Sequence, residues 1–464
     1  MNFFIFVGDI EKLYVLSYNR MYMKYDAVKG ADILETPEYY RKLLDMAALT
    51  GTLMISSGAE THRVEDTMQR ILSTSGFERA ESMVFPTGFI VTLSDPRHES
   101  LSITKRVTGI SNNLGRVADV NQVSREFCSG AITLDEAIEK LKAISNHRRY
   151  SLMIRVLGYI LTGGGFCYVF GSTLPDVVGA VVCSFAIAFV DLFLGPKIGK
   201  GFITNILAGA TITVAAAVVS YCVGQLFDIQ LQAHYMIIGP IMLLVPGLAM
   251  TNAARDIVHG DYLSGGSRAI EAFCIAALVS VGVGVGMAIV NVCGFSDSLV
   301  LNFNLSVQTL PRFLGAVLAS ALAVCGFSIL FEIQPKNMIF CGLSGMLSWA
   351  VYLVADYFGM SGVWATFCAT LAVDLFSHIY ARKLKTPVII FLVTGLLPLV
   401  PGISVYKAVY AIMYGEGGAG QTLLGAILCV GAIALAIFLM DTMLDMEKRA
   451  SNYIRSKKTK NGSR

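Results

Sequence analysis

From residue 152 to residue 444 the chain is a succession of apolar stretches about twenty residues long, divided by short polar turns. Before residue 150 the pattern differs: apolar positions recur every three or four residues, or alternate. A spanning helix needs roughly 20 mostly apolar residues. Ten stretches qualify: 152–172, 175–195, 201–224, 234–255, 267–293, 306–332, 336–356, 361–381, 386–413 and 421–444. In the polar part, 38–57 and 59–75 have helical spacing, and so do 114–128 and 133–147. The last of these begins at Thr133 with Glu136 three residues on, a capping box. Between the pairs, 82–85, 89–93 and 101–104 read as short strands, the first two joined by Pro86-Thr87-Gly88. The expectation is a mainly α membrane protein with ten transmembrane helices and an N-terminal cytoplasmic α+β domain. Its segments are an N-terminal extension (1–37, with Met21 and Met23 as alternative starts), the α+β domain (38–150), two five-span units (151–293 and 294–444) and a tail (445–464).

Charge sharpens these divisions. Residues 1–150 carry 37 charged side chains, 151–444 carry 23 and the last twenty carry 9. The mean hydropathy of +0.62 and the 15% charged content exclude a disordered chain and argue against a wholly soluble one. The net charge of +3 lies near the expected membrane boundaries, so nucleic acid is not implied. Lys197, Lys200, Arg255, Arg268, Lys336, Arg382, Lys383 and Lys385 fall in alternate loops, and the intervening loops hold no Lys or Arg. The positive-inside rule then places both termini in the cytoplasm, with the chain multi-pass in a plasma (inner) membrane. Ten cysteines are scattered without metal-ligand spacing and read as small buried hydrophobes; nothing calls for a metal or cofactor.

Leu244-Val245-Pro246-Gly247 in the fourth stretch recurs as Leu399-Val400-Pro401-Gly402 in the ninth. Five spans separate the copies, and an odd-numbered unit inserts its second copy upside down, so a 5+5 inverted repeat is expected. Val190-Asp191-Leu192-Phe193 also echoes Val373-Asp374-Leu375-Phe376, but out of that register. Proline removes a helical hydrogen bond and glycine adds backbone freedom, so each Pro-Gly predicts a broken span. One such break is an ordinary packing kink. A matched pair is the anatomy of a central transport site, because half-helix N-termini offer free N–H groups to an anion.

Ionisable residues inside spans are costly and tend towards function. Asp191, Glu271, Arg312, Asp374, Lys407 and Asp441 fall there, with Arg255, Asp256 and Glu332 near boundaries. Lys407 lies six residues after Pro401, and Asn252 six after Pro246. A cation and an amide beside two helix breaks suit an anionic or zwitterionic solute. Asp191, Asp374 and Glu271 are candidates to carry protons or to pair with Arg255 and Lys407; the plain alternatives are snorkelling and structural ion pairs. Gly282-Val-Gly-Val-Gly286 suggests close helix packing.

In the polar domain, His62 and Glu65 share a helix face three residues apart, a spacing open to acid–base or metal chemistry. With no companion ligands, a solvated or interdomain face is the simpler reading. Arg63 has Glu60 before it and Asp66 after it as helical partners.

Two segments together resemble the threonine/serine exporter family: Ser57-Gly58-Ala59-Glu60-Thr61-His62-Arg63-Val64-Glu65, and Leu244-Val245-Pro246-Gly247-Leu248-Ala249-Met250-Thr251-Asn252-Ala253-Ala254-Arg255-Asp256. Gly260-Asp261, Ser264-Gly265, Arg268 and Glu271 continue the second, and Leu399-Val400-Pro401-Gly402 with Tyr406 adds the other half. The resemblance covers roughly residues 40–445. It implies a cytoplasmic domain followed by ten spans, and export of a small amino acid, driven by protons. Relatives with the two units on separate chains resemble dicarboxylate (succinate) exporters. The family pattern has Arg after that tyrosine, where this chain has Lys407, which keeps the charge but not a bidentate fork.

The implied partners are an amino acid or dicarboxylate, protons and the lipid bilayer, with homo-oligomerisation open. The substrate-binding set is Pro246, Gly247, Asn252, Pro401, Gly402, Tyr406 and Lys407. Asp191, Arg255, Asp256, Glu271 and Asp374 form the proton-coupling or ion-pair set. A membrane-tethered enzyme or sensor built on Glu60, His62, Arg63 and Glu65 is the alternative from another class. No ATP-binding motif supports a primary pump.

Overall fold

The computed structural model describes residues 37–96, 98–199, 201–294, 309–402, 404, 407–408, 411–412 and 417–461. It is mainly helical, with one small sheet. Helix α1 (Pro37–Ser56) turns sharply into α2 (Thr61–Leu72). The turn needs Gly58, whose φ of 80° is a left-handed conformation that L side chains rarely adopt. Strands β1 (Arg79–Phe85), β2 (Gly88–Asp95) and β3 (His98–Arg106) form an antiparallel sheet in sequence order. Phe85 pairs with Gly88 across the two-residue Pro86-Thr87 turn. Side chains alternate along a strand, so Phe89, Val91 and Leu93 enter the core together while Ile90 stays outside. Helices α3 (Leu114–Cys128) and α4 (Leu134–Asn146) close that core. Asn113 caps α3 by accepting from the Arg116 N–H, and Thr133 and Glu136 form the expected capping box of α4.

Among the described residues, eight helices are long and apolar enough to cross a membrane. These are α5 (Leu152–Val169), α6 (Leu174–Phe189, continued by a π-helical turn and a last helical turn to Ile198), α7 (Gly201–Phe227), α10 (Tyr262–Val292), α11 (Leu310–Leu330), α12 (Pro335–Tyr357), α13 (Gly362–Leu384) and α15 (Ala419–Asn461). They turn Ser and Thr inward and leave many Leu, Val and Phe outside, the reverse of a soluble bundle. Small residues let backbones approach. A Cβ on Gly282 or Gly286 of α10 would collide with carbonyls of α7, and one on Gly158 or Gly165 of α5 with carbonyls of α11.

The two remaining apolar stretches are not single helices. The fourth gives α8 (Ala233–Ile241) and α9 (Gly247–Val258), separated at residues 242–246. The ninth gives α14 (Val388–Leu396), a break at 397–401 and helical backbone resuming at Gly402.

The helix–sheet domain docks on three of the loops where the sequence concentrates positive charge. The Gly115 N–H donates to Phe331 O and the Arg149 N–H to Glu332 Oε2, while Tyr150 donates to Ile333 O. Arg125 donates to Lys385 O, and the turn at Gly58–Thr61 meets α9 and α10. A Cβ at Gly115 would overlap the Glu332 carbonyl, which is backbone and cannot swing aside. Gly115→Ala is therefore expected to push the domain off this turn, at a cost of about 1–3 kcal/mol. A lower thermal transition in detergent, and faster proteolytic release of the domain at 148–151, would register it.

Candidate transport site

The two breaks are built alike. At the first, Pro246 (φ −76°, ψ 55°) sits at the centre of an inverse γ-turn, closed by the Gly247 N–H donating to Val245 O at 2.8 Å. Leu244 and Val245 both bond back to Ile241 O. At the second, the Gly402 N–H donates to Val400 O at 2.7 Å, and Leu399 and Val400 bond back to Leu396 O. Each donor and acceptor recurs 155 positions later. Proline supplies the φ and lacks the N–H that would continue the helix, so both chains break at the same step.

The breaks also pack on one another. A Cβ on Gly247 would meet Leu397 and Val400, and a Cβ on Gly402 would meet Val245. Contact 247–400 thus has its counterpart in 402–245, the signature of a local two-fold relation. Two small cavities flank the crossing. One, of about 20 Å³, touches Pro246, Met250, Ser280 and Gly402; the other, of about 10 Å³, touches Thr251, Val400 and Pro401. The larger has room for roughly one water, so the crossing is closed in this conformation.

The sequence-derived residues divide among four places. Pro246, Gly247, Pro401 and Gly402 meet at the crossing. Lys407 is half-buried beyond the second break, and Tyr406 lies outside the described residues. Asn252 is fully buried and gives its amide to Gly58 O of the domain at 2.8 Å. Asp191 stands in the π-helical turn ending α6 and accepts from Tyr159.

Glu60, Arg63, Arg255 and Asp256 form the third group, with Arg268, Thr61 and Glu271 beside them. Glu60 and Arg255 are a buried ion pair, each side chain under a tenth exposed. Arg63 adds to Glu60 at 3.6 Å, whereas Asp66 pairs with Arg70 at 2.8 Å. Asp256 meets Arg268 at 3.1 Å and accepts from Thr61; Arg268 also donates to Ala59 O. Glu271 is exposed, at a seam cavity of about 40 Å³ that it shares with Gly58, Asn252 and Arg268. Glu65 is bound differently: its Oε1 takes the Val84 N–H, tying α2 to the sheet. Burial raises its pKa above the usual carboxylate value, with the Val84 hydrogen bond opposing.

The fourth group was not assembled from the sequence. Asp374 is fully buried on α13 beside His378, and Asp441 of α15 lies between His378 and His259. His62, on the domain surface, stacks on His259 with ring centroids 4.7 Å apart. The i,i+4 spacing of Asp374 and His378 was the available signal; the other pairings span more than 60 residues.

Burial alone would raise Glu60, but Arg255, Arg63 and the two histidines outweigh it and hold the carboxyl below its ordinary value. Its contribution to docking is therefore complete above the ordinary carboxylate range and lost as pH falls through the lower, folded-state value. Removing one partner leaves the other charged in a dry seam. Glu60→Gln should destabilise docking by about 3–5 kcal/mol, and Glu60→Gln with Arg255→Met by less than either single change. Thermal transitions of the four proteins test this. Burial, then His259, lowers the pKa of His62, so the docked state favours the neutral ring. Docking should be strongest above pH 6.5, an ordinary histidine's value, and weaken as pH drops through it. Domain release by limited proteolysis between pH 7.5 and 5 should show a step that His62→Gln flattens.

Comparison with known proteins identifies relatives over most of the chain. Residues 45–290 match a threonine/serine exporter family model, and residues 316–443 match a second one. The chain is 23% identical over 405 residues to the threonine/serine exporter of Corynebacterium glutamicum, covering 85% of this chain and 79% of that one. It is 25% identical over 421 residues to a protein of Mycobacterium tuberculosis named a probable threonine/serine exporter, covering 88% and 76%. No solved structure matches it. With the first model alone spanning more than half of its length, the chain belongs to the threonine/serine exporter family.

Proposed function

We propose that this protein is a secondary exporter that moves threonine, serine or a similar small zwitterion out across the plasma membrane in exchange for protons. Both termini are cytoplasmic in this reading, and ten crossings form two inverted five-span units. The carrying observation is the pair of matched, mutually packed helix breaks. The positions of the docked loops support the count. If α8–α9 and the segment from α14 onward each cross once, the α9–α10 junction, 331–334, 385 and Asp441 all return to the domain side.

The chemistry follows from the helix ends. Backbone N–H groups at the start of a helix have no partner within it and carry the positive end of the dipole. Two such starts, at Gly247 and near Gly402, converge at the crossing. A solute carboxylate would be held there when the crossing opens, with Lys407 adding charge and the hydroxyls of Thr251 and Ser280 serving the amine or side-chain oxygen. The seam cavity supplies an entrance of the same character: Arg268 for a carboxylate, Glu271 for an ammonium and Asn252 for a hydroxyl. The docked domain would cover that entrance until the Glu60–Arg255 seam parts. A dicarboxylate suits these groups less well, because Arg255, a second cation for it, is committed to Glu60.

Labelled threonine, serine and succinate, loaded into proteoliposomes, test this directly. Threonine or serine efflux should quicken when the pH gradient drives protons in the opposite direction, and succinate should not respond. Lys407→Met should weaken solute affinity by about 1–3 kcal/mol, and Asn252→Ala should also weaken it. Unchanged affinity in both variants would remove the crossing and its entrance from consideration.

A further inference from the structure

Five titratable side chains descend in single file from the domain surface into the membrane core. His62 is exposed and stacks on His259. The His259 side chain is 29% exposed, and its Nε2 lies 3.9 Å from Asp441 Oδ2, on a carboxylate 24% exposed. The other oxygen, Oδ1, lies 3.8 Å from His378 Nε2, on a ring 16% exposed. His378 Nδ1 reaches Asp374 Oδ1 at 3.0 Å, and Asp374 is 0% exposed. Solvent access thus falls at every step. Imidazole and carboxylate alternate after the stacked pair, and the file crosses from the first half of the membrane domain to the second.

We propose that Asp374, His378, Asp441 and His259 are a proton relay that joins the transport site to the cytosol. It rests on the proton-coupled reading above. The 3.0 Å step is within hydrogen-bond range. The two near 3.8 Å lie beyond direct transfer and fit one bridging water or a small approach of the helices. His259 places Nδ1 at Arg255 O (2.8 Å), whereas His378 Nδ1 lies beside both Asp374 O (3.1 Å) and Asp374 Oδ1 (3.0 Å), a position open to either tautomer of the ring. Each Nε2 is thereby aimed at Asp441, one histidine per oxygen.

The step balances as a proton transfer. Asp374, protonated from the outer side, gives its proton to a bare His378 Nδ1 while the ring carries its own proton on Nε2; that Nε2 proton passes to Asp441 Oδ1, and the ring returns to the Nε2–H tautomer before the next transfer. Rotation of the Asp441 carboxyl carries that proton to the Oδ2 side, where it passes to His259 Nε2, and His259 gives it to water beside His62. The charged groups facing the file are few. Arg255 faces both Asp441 and Asp374; Glu60, Arg63 and Asp66 face His62. Two imidazolium rings 4.7 Å apart repel, so a second charge at the His62–His259 pair is disfavoured and the proton is expelled. Arg255 belongs to both networks: it holds Glu60 of the domain and faces the relay acids. Parting the domain seam would thus alter the field on Asp441 and Asp374, giving solute entry and proton release a shared element.

The test uses the full chain in proteoliposomes with labelled threonine, comparing efflux driven by a pH gradient with threonine–threonine exchange, which needs no net proton movement. His378→Gln, Asp441→Asn and His259→Gln should each lower gradient-driven efflux at least tenfold and leave exchange within about twofold. Asp441→Glu, which keeps a carboxylate, should recover most of the efflux. Undiminished gradient-driven efflux in the three variants overturns the relay. So does a parallel loss of exchange and thermal stability, which would assign these residues to the fold. A wild-type protein that carries threonine without responding to the gradient removes proton coupling itself; a coupled wild type with insensitive variants removes the relay alone.

Discussion

Backbone polar groups in hydrocarbon have no water to bond, and everything unusual in this molecule is arranged around that rule. Two apolar stretches stop being helical in mid-course. Each break bonds its own amides through a γ-turn and a return to the carbonyl three or four residues earlier. The two breaks then pack on each other: Val245 sits where a Gly402 side chain would be, and Val400 lies near the place of one on Gly247. Neither interruption has this shelter alone. On the proposed reading, parting this packing is what would open the pathway.

The same economy governs the seam between the helix–sheet domain and the spans. Glu60, Arg255, Asp256 and Arg268 are charges under or near a tenth exposed, and each is matched by an opposite charge within 4 Å. A seam of this kind is position-specific rather than adhesive: net gain is small when all partners are present and the penalty large when one is missing. If the domain parts from the spans as proposed, such a joint would let it close again in one place.

Local pattern made much of this legible. The helices expected over 38–57 and 133–147 run Pro37–Ser56 and Leu134–Asn146, and the Pro86-Thr87 turn falls between strands as read. Proline chemistry located both interruptions to the residue. What sequence spacing does not encode is pairing at a distance. Arg63 had two acids within reach, and Glu60 took it because Asp66 was drawn to Arg70. Asn252, placed by repeat register opposite Lys407, has its amide on a carbonyl 194 positions away. His259, His378 and Asp441 come from three separate helices or their ends, and only the fold lines them up.

The order in which the chain is made gives the domain's second contact a particular meaning. Domains tend to fold as units while synthesis continues, and this one is complete once residue 150 has emerged. Its partner Lys385 is translated more than 200 residues afterwards, an interval of roughly 12–50 s at bacterial elongation rates. The α3 partners at Phe331 and Gln334 are made first, and the Arg125 end of the helix waits longest. Asp119, Arg125 and the neighbouring Arg149 on that face end up bonded to Gln334, Lys385 O and each other. Leu114 and Ala118 bring apolar contact to the same face, so it is these hydrogen bonds, with their fixed geometry, that tell the late partner from any other greasy segment.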